Sequence, residues 1–215
     1  MDYVRLYKWR FQGVEPQKKR GVWREITLWV YDLLGKPKNI LDPACGDLEF
    51  LSHIPKECET WGVDLRVSEE SQRALSKYIV GNVFSVELPK AYFEAVFVSN
   101  FLEHLSHPNE IFELLKKLEG SLSKGGQIAI MGPNFKYCSR VYFDCADHIL
   151  PLTHVAVQEH LAMAGFKILH VIPRFIPYSF RSHLPSSSFL TRLYLKCSWL
   201  WPLFGKQFLV IGEKQ

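Results

Sequence analysis

The chain has 215 residues, 47% of them apolar and 22% charged, which suits one α/β domain with a buried core and excludes a long disordered span. Its net charge of +4 is unevenly placed: residues 1–39 carry nine Lys/Arg against four Asp/Glu, residues 166–215 carry seven against one, and the centre is acidic. Such basic flanks fit an anionic substrate or surface, or merely solvated faces that keep the protein soluble. In chain order, residues 17–34 set Val22, Trp23, Ile26, Trp29, Val30 and Leu33 at helical spacing opposite Lys19, Arg20 and Arg24, inside an N-terminal cap region over 1–36. Gly35 and Pro37 stop that helix. A short strand, Asn39–Asp42, leads into a turn and an apolar helical stretch around Phe50 and Leu51. Strands follow at 59–64 and 78–80, with a short helix between them over 67–77. Residues 93–99 form a fourth strand, Ile111, Leu114, Leu115 and Leu118 mark a helix ending at Gly120, and the Gly125-Gly126 turn introduces a fifth strand at 127–131. A helix near 154–164 ends at Gly165, and strands at 166–171 and 208–211 complete the set.

Strands alternating with helices at this spacing predict a single α/β domain over 1–215: a doubly wound, seven-stranded, mostly parallel sheet with helices on both faces. Ala95-Val-Phe-Val98 is apolar on both faces, as a covered parallel sheet requires. Cys45, Cys58, Cys138, Cys145 and Cys197 form no CxxC pair, so neither a zinc ribbon nor a disulfide framework is expected, and a reducing compartment is. The N-terminus shows no signal-peptide core and no apolar run reaches the roughly 18 residues that span a bilayer. The expected location is cytoplasmic.

In an open parallel sheet, ligands bind at the carboxyl ends of the strands. There the first strand ends in Asp42-Pro-Ala-Cys-Gly46, small residues that let backbone approach a ligand closely. The second ends in Asp64, a carboxylate placed to accept both ribose hydroxyls of an adenosine cofactor. A nicotinamide site would want Gly-x-Gly-x-x-Gly, and the chain offers Ala44, Gly46 and Glu49 instead.

These residues resemble the class I S-adenosylmethionine-dependent methyltransferases, over nearly the whole chain. Asp42-Pro-Ala44-Cys-Gly46-Asp-Leu48 is similar to the family's Asp-x-Gly-x-Gly-x-Gly loop, with Ala44 and Leu48 at glycine positions. Glu103-His-Leu and Pro108 after the fourth strand, Leu122-Ser-Lys-Gly-Gly126, and Asp147-His148 with Thr153 resemble further family segments. The resemblance implies S-adenosyl-L-methionine as cofactor and S-adenosyl-L-homocysteine as product. It implies a cofactor site of Asp42, Ala44, Cys45, Gly46, Asp64, Leu65, Asn82, Val83, Ser99 and Asn100. Leu48 either narrows that site or points into the core. Asp-Pro-Ala-Cys-Gly is also similar to adenine-N6 methyltransferases of nucleic acids, but Ser99-Asn-Phe-Leu102 lacks their Pro-Pro clamp, so no nucleic-acid partner is expected.

Methyl transfer to oxygen or nitrogen needs alignment and often a base, for which His is the natural residue at neutral pH. The candidates are His148 and His104, then His107 and His154, the last expected to be an exposed first-turn residue. Asp144, Asp147 and His148 show no metal-ligand spacing, and no metal is expected. Residues 178–204 form an insertion between strands six and seven, and its stretch Phe189–Trp201, broken by Arg192 and Lys196, suits a membrane interface, an acyl pocket or a packed lid. Its ending is similar to bacterial methyltransferases of cell-surface saccharide assembly. The expected reaction is therefore O-methylation of a saccharide or lipid-linked acceptor, anionic or not, with peripheral contact at the inner membrane face. The rivals are an N-methyltransferase of a soluble metabolite and a catalytically silent scaffold.

Overall fold

The computed structural model describes residues 3–66, 74–178 and 187–215. Seven strands share one sheet: β1 (Asn39–Asp42), β2 (Glu59–Asp64), β3 (Lys77–Val80), β4 (Phe93–Ser99), β5 (Leu122–Pro133), β6 (Phe166–Ile172) and β7 (Gln207–Lys214). Their spatial order is β3-β2-β1-β4-β5-β7-β6. Pairs among β1 to β5 are parallel, while β7 runs antiparallel to both β5 and β6. The order reverses beside β1 and β4, which opens a crevice at their carboxyl ends.

Alternation along the strands sends side chains to two cores. On one face Leu41, Val96, Val98, Ile128, Ile130 and Val210 meet α3 (Pro108–Ser121) and α5 (His154–Met163) through Ile111, Leu114, Leu115, Leu118, Val157 and Leu161. On the other, Ile40, Ala95, Phe97, Ala129, Leu209 and Ile211 meet α2 (Pro16–Leu33) through Trp23, Ile26 and Val30. Both faces are covered, so the central strands are apolar throughout.

Several boundaries differ from the sequence expectation. Phe50 and Leu51 are buried, but only a 3-10 turn, Leu51–His53, forms between β1 and β2, and Pro55 ends the room for anything longer. Of the helix expected over 67–77, residues 67–73 lie outside the described residues, and Lys77 already belongs to β3. The Gly125-Gly126 turn is a bulge inside β5: Phe93 pairs with Leu122 but Ala95 with Gln127. Two helices were not anticipated as separate elements, α1 (Tyr3–Arg10) and α4 (Phe135–Tyr142), the latter capped by the Asn134 side chain, which accepts from Lys136 N–H.

The insertion holds α6 (Ser188–Lys196) and α7 (Trp201–Phe204), while residues 179–186, with Arg181, His183 and Pro185, lie outside the described residues. Helix α6 docks on α2 through Glu25, which is 6% exposed. Its Oε2 accepts from Arg192 Nε at 2.8 Å, and Oε1 accepts from Arg192 Nη2 at 2.9 Å and Ser188 Oγ at 2.8 Å. A two-pronged guanidinium and a hydroxyl together satisfy this buried carboxylate. Trp201 adds edge contacts to Trp29 and Phe175.

Candidate functional site

A cavity of about 450 Å³ lies at the carboxyl ends of β1, β4 and β5, roofed by α1, α6 and α7, within the size range of small-molecule sites. Its floor is the loop after β1. Asp42, Ala44, Cys45 and Gly46 line it, as do Ser99 and Asn100 after β4. Gly46 takes φ +53° and Asn100 φ +48°, both left-handed, a region open to Gly and tolerated by Asn. Gly62 on β2 permits the close packing beneath: a Cβ there would stand 2.8 Å from Cys45 Sγ and 2.7 Å from Leu75.

Leu48 also takes a left-handed φ of +60°, yet it is buried in the core cluster with Trp23, Ile26 and Phe50, behind the cavity wall that those three help to form. The core alternative is the one observed. Leu48→Gly is expected to relieve roughly 1–2 kcal/mol of backbone strain while losing about 2–5 kcal/mol of core burial. The net result is a less stable protein in urea unfolding with little change in cofactor affinity; an unchanged midpoint would show that Leu48 is not a core residue.

The remaining expected cofactor residues lie outside the cavity lining. Asp64 is anchored below it, its Oδ2 accepting from Gly46 N–H at 2.9 Å and its Oδ1 from Arg66 N–H at 2.9 Å and Arg66 Nε at 3.2 Å. Leu65 is 67% exposed, Asn82 is exposed with its Oδ1 accepting from Phe84 N–H, and Val83 is buried in the core. Arg66 was not anticipated. It lines the cavity and bridges Asp64 and Asp47.

Asp42 is the outlier in charge. Burial pushes its carboxyl up to about 8, reinforced by Asp64 and Glu49 against one hydrogen bond from Ala44 N–H. No described cation pairs with it. The three cations that do line the cavity are each matched: Arg10 to Asp147, Lys19 to Glu49, and Arg66 to Asp64 and Asp47. The described lining therefore holds no surplus positive charge for an anionic acceptor.

Opposite the loop, His104 and His148 stand edge to face at 5.1 Å. His104 Nδ1 lies 2.8 Å from the Asp147 carbonyl oxygen. Burial, aided by His104, lowers His148 to about 4, so its ring is neutral at pH 7. Glu103 beside them is buried, and that burial raises its carboxyl. Helix α1 reaches this cluster: Arg10 binds Asp147 and lies 5.1 Å over the Tyr7 ring. His107 is instead the N-cap of α3, its Nδ1 accepting from Asn109 N–H at 3.1 Å. His154 is buried, not exposed, because Asn134 binds its Nδ1 at 2.9 Å. Glu103, Asp147 and His148 could not have been grouped from sequence spacing, since over 40 residues separate Glu103 from His148.

A model of the methyltransferase domain matches residues 41–130, which hold the loop and the strands around it. Among solved structures, an S-adenosylmethionine-dependent methyltransferase from Archaeoglobus fulgidus is 22% identical, covers 99% of this chain and 100% of its own, and superposes with a TM-score of 0.70. One from Thermotoga maritima, described as a possible histamine N-methyltransferase, is 13% identical over 99% and 97% with a TM-score of 0.68. Geranyl diphosphate C-methyltransferase from Streptomyces coelicolor is 12% identical over 88% and 78%, with a TM-score of 0.62. Comparison with curated proteins gives no match. Residues 41–130 thus match a methyltransferase domain, and the strand order and the loop at Asp42 agree with the fold of the S-adenosylmethionine-dependent methyltransferase structures.

The described residues fit the cofactor. The loop at Gly46 offers close backbone approach, and Asp42, with no cation paired to it among the described residues, lines a cavity that would suit a cationic sulfonium and ammonium. No described helix is long and apolar enough to cross a membrane.

Proposed function

We propose that the protein methylates an oxygen of an amphipathic small molecule, a saccharide or lipid-linked intermediate, that enters beneath α6 and α7. The observation that carries this reading is the two-sidedness of those helices. Leu190, Tyr194 and Phe204 line the cavity, while Phe189, Trp199 and Leu203 are 73%, 71% and 64% exposed. One short element thus joins the acceptor space to an apolar, aromatic outer surface with Lys196 exposed on it, the composition of an interfacial helix.

The cofactor supplies an electrophilic methyl group. On its side, Asp42, Ala44, Cys45, Gly46, Ser99 and Asn100 hold the amino-acid part and the sulfonium. Asp64 holds the ribose once the Arg66 side chain moves aside, since a carboxylate offers about four acceptor sites and Arg66 Nε takes one of three now used. Leu65 and Asn82 flank the adenine, with Val83 supporting Asn82 from the core. On the acceptor side, His148 and His104 position the nucleophile. With its proton affinity lowered this far, His148 acts as a hydrogen-bond acceptor that orients a hydroxyl rather than as a strong base.

Flotation on anionic vesicles tests the interfacial part. Retention at low salt is expected, with about 1 kcal/mol from Lys196. Phe189→Ser with Trp199→Ser should release the protein, because each exposed aromatic side chain contributes roughly 1.5–3 kcal/mol when fully withdrawn from water. Arg192 is not a suitable target: its pairing with buried Glu25 makes a charge reversal there a folding defect. Transfer of labelled methyl into a lipid extract or into soluble saccharides, and not into amines, tests the acceptor class. Labelling of soluble amines alone, without vesicle binding, would overturn the reading.

A further inference from the structure

We propose that Glu103, His104 and His148 form a binding site for one first-row divalent cation, zinc being the simplest, at the acceptor end of the cavity. Two chain segments build it, the turn after β4 and the loop after α4, and one ligand atom from each residue lies within 4.8 Å of the others. All three residues line the cavity, so an ion has an entry path and a vacant coordination position faces the acceptor.

The state of each donor supports the assignment. The Glu103 side chain is 3% exposed, its carboxylate has its own backbone N–H as donor but no cationic partner at contact distance among the described residues, and the basic atom facing it is His104 Nε2 at 4.0 Å. A buried carboxylate without a paired cation is costly, and a bound ion would offset that cost. His104 Nδ1 lies 2.8 Å from the Asp147 carbonyl oxygen, which requires that nitrogen to carry the hydrogen and leaves Nε2 with a lone pair toward Glu103. A backbone acceptor behind a ligating imidazole is the usual supporting arrangement in metal sites. His148 Nδ1 is buried and has no partner among the described residues. Two imidazoles and one carboxylate are the donor set of catalytic zinc and of related open sites. Movement of about 1 Å would bring the donors to bond lengths near 2.1 Å.

The ion's role rests on the O-methyl transfer reading. With the ion bound, an acceptor hydroxyl would be oriented on the open position in place of a direct hydrogen bond to His148, and would lose its proton to water. Its oxygen would then bond the methyl carbon as the carbon–sulfur bond breaks and the electron pair stays on sulfur. Binding of the ion does not rest on that reading, and its test needs neither cofactor nor acceptor.

The test is calorimetry of the whole chain with zinc chloride, paired with the visible absorption spectrum after adding cobalt chloride. One zinc per chain at micromolar or tighter Kd is expected, with cobalt bands of nitrogen and oxygen coordination and no thiolate charge transfer. Glu103→Gln and His148→Ala should each weaken zinc by about 100-fold, with His104→Gln in reserve should one fail to fold by circular dichroism. Cys145→Ser, a neighbouring thiol in the same cavity, should leave zinc affinity unchanged. Absence of saturable binding, binding that the Glu103 and His148 variants leave intact, or binding lost only in Cys145→Ser would each overturn the site and leave the cluster as polar packing.

Discussion

Asp42→Asn is expected to make the cofactor-free protein more stable at pH 8 by a few kcal/mol, and to make no difference at pH 4. The folded carboxyl titrates near 8, against 3.8 for the free group, because burial disfavours its charge and no cation among the described residues answers it. Between those pH values the folded state binds more protons than the unfolded one. Stability contributed by other groups is therefore eroded as pH rises from about 4 to 8, at up to roughly 1.4 kcal/mol per unit. Asparagine keeps the oxygen that accepts from Ala44 N–H and removes the titration. The same residue should couple cofactor binding to a proton. A bound cation lowers the Asp42 pKa, so calorimetry near pH 7 should show proton release as a dependence of enthalpy on the buffer's ionisation heat. Asp42→Asn should abolish that dependence. Equal melting temperatures of the two proteins at pH 8 would show that Asp42 is not carrying this penalty.

Asp64→Ala should weaken S-adenosylhomocysteine by about 10- to 150-fold, the scale of 1.5–3 kcal/mol for hydrogen bonds to a charged group. Two effects combine. The ribose loses its acceptor, and the loop loses the carboxylate that receives Gly46 N–H and tethers Arg66. Arg66→Ala separates them: it leaves Gly46 anchored and frees one of the two positions used on Oδ1, the backbone N–H of residue 66 keeping the other, so affinity should hold or rise. Calorimetry on both variants decides the matter. Unchanged affinity in Asp64→Ala would remove the ribose assignment.

The sheet was legible because its signals are local. Asn39–Asp42, Glu59–Asp64 and Phe93–Ser99 are short β-rich or apolar runs bounded by turn residues, and the structure has them at those limits. The floor of the site was legible for the same reason, since Asp42 to Gly46 is one contiguous loop. What escaped depends on distant partners. Helix α1 has no strong pattern of its own, and it is placed by Arg10 reaching Asp147, 137 residues away. His154 was misjudged because its burial is set by Asn134 and not by its position in a helix's first turn. The Asn after Pro133 was a usable cap signal for α4. Arg66 across Asp64 had no signal at all, because a two-residue pairing at a strand end follows from backbone direction.

The antiparallel position of β7 bears on how this protein is made. Among the described residues, strand β6 has only β7 as a neighbour, and β7 alone joins it to β5. During synthesis β6 leaves the ribosome with no strand to pair with, and it must wait for residues 207–214. Until then β5 shows an open edge, Gln127 to Pro133, whose side chains are largely apolar. Such an edge is a template for pairing with another chain. Nascent chains stalled just before β7 should thus need chaperone protection that chains carrying β7 do not.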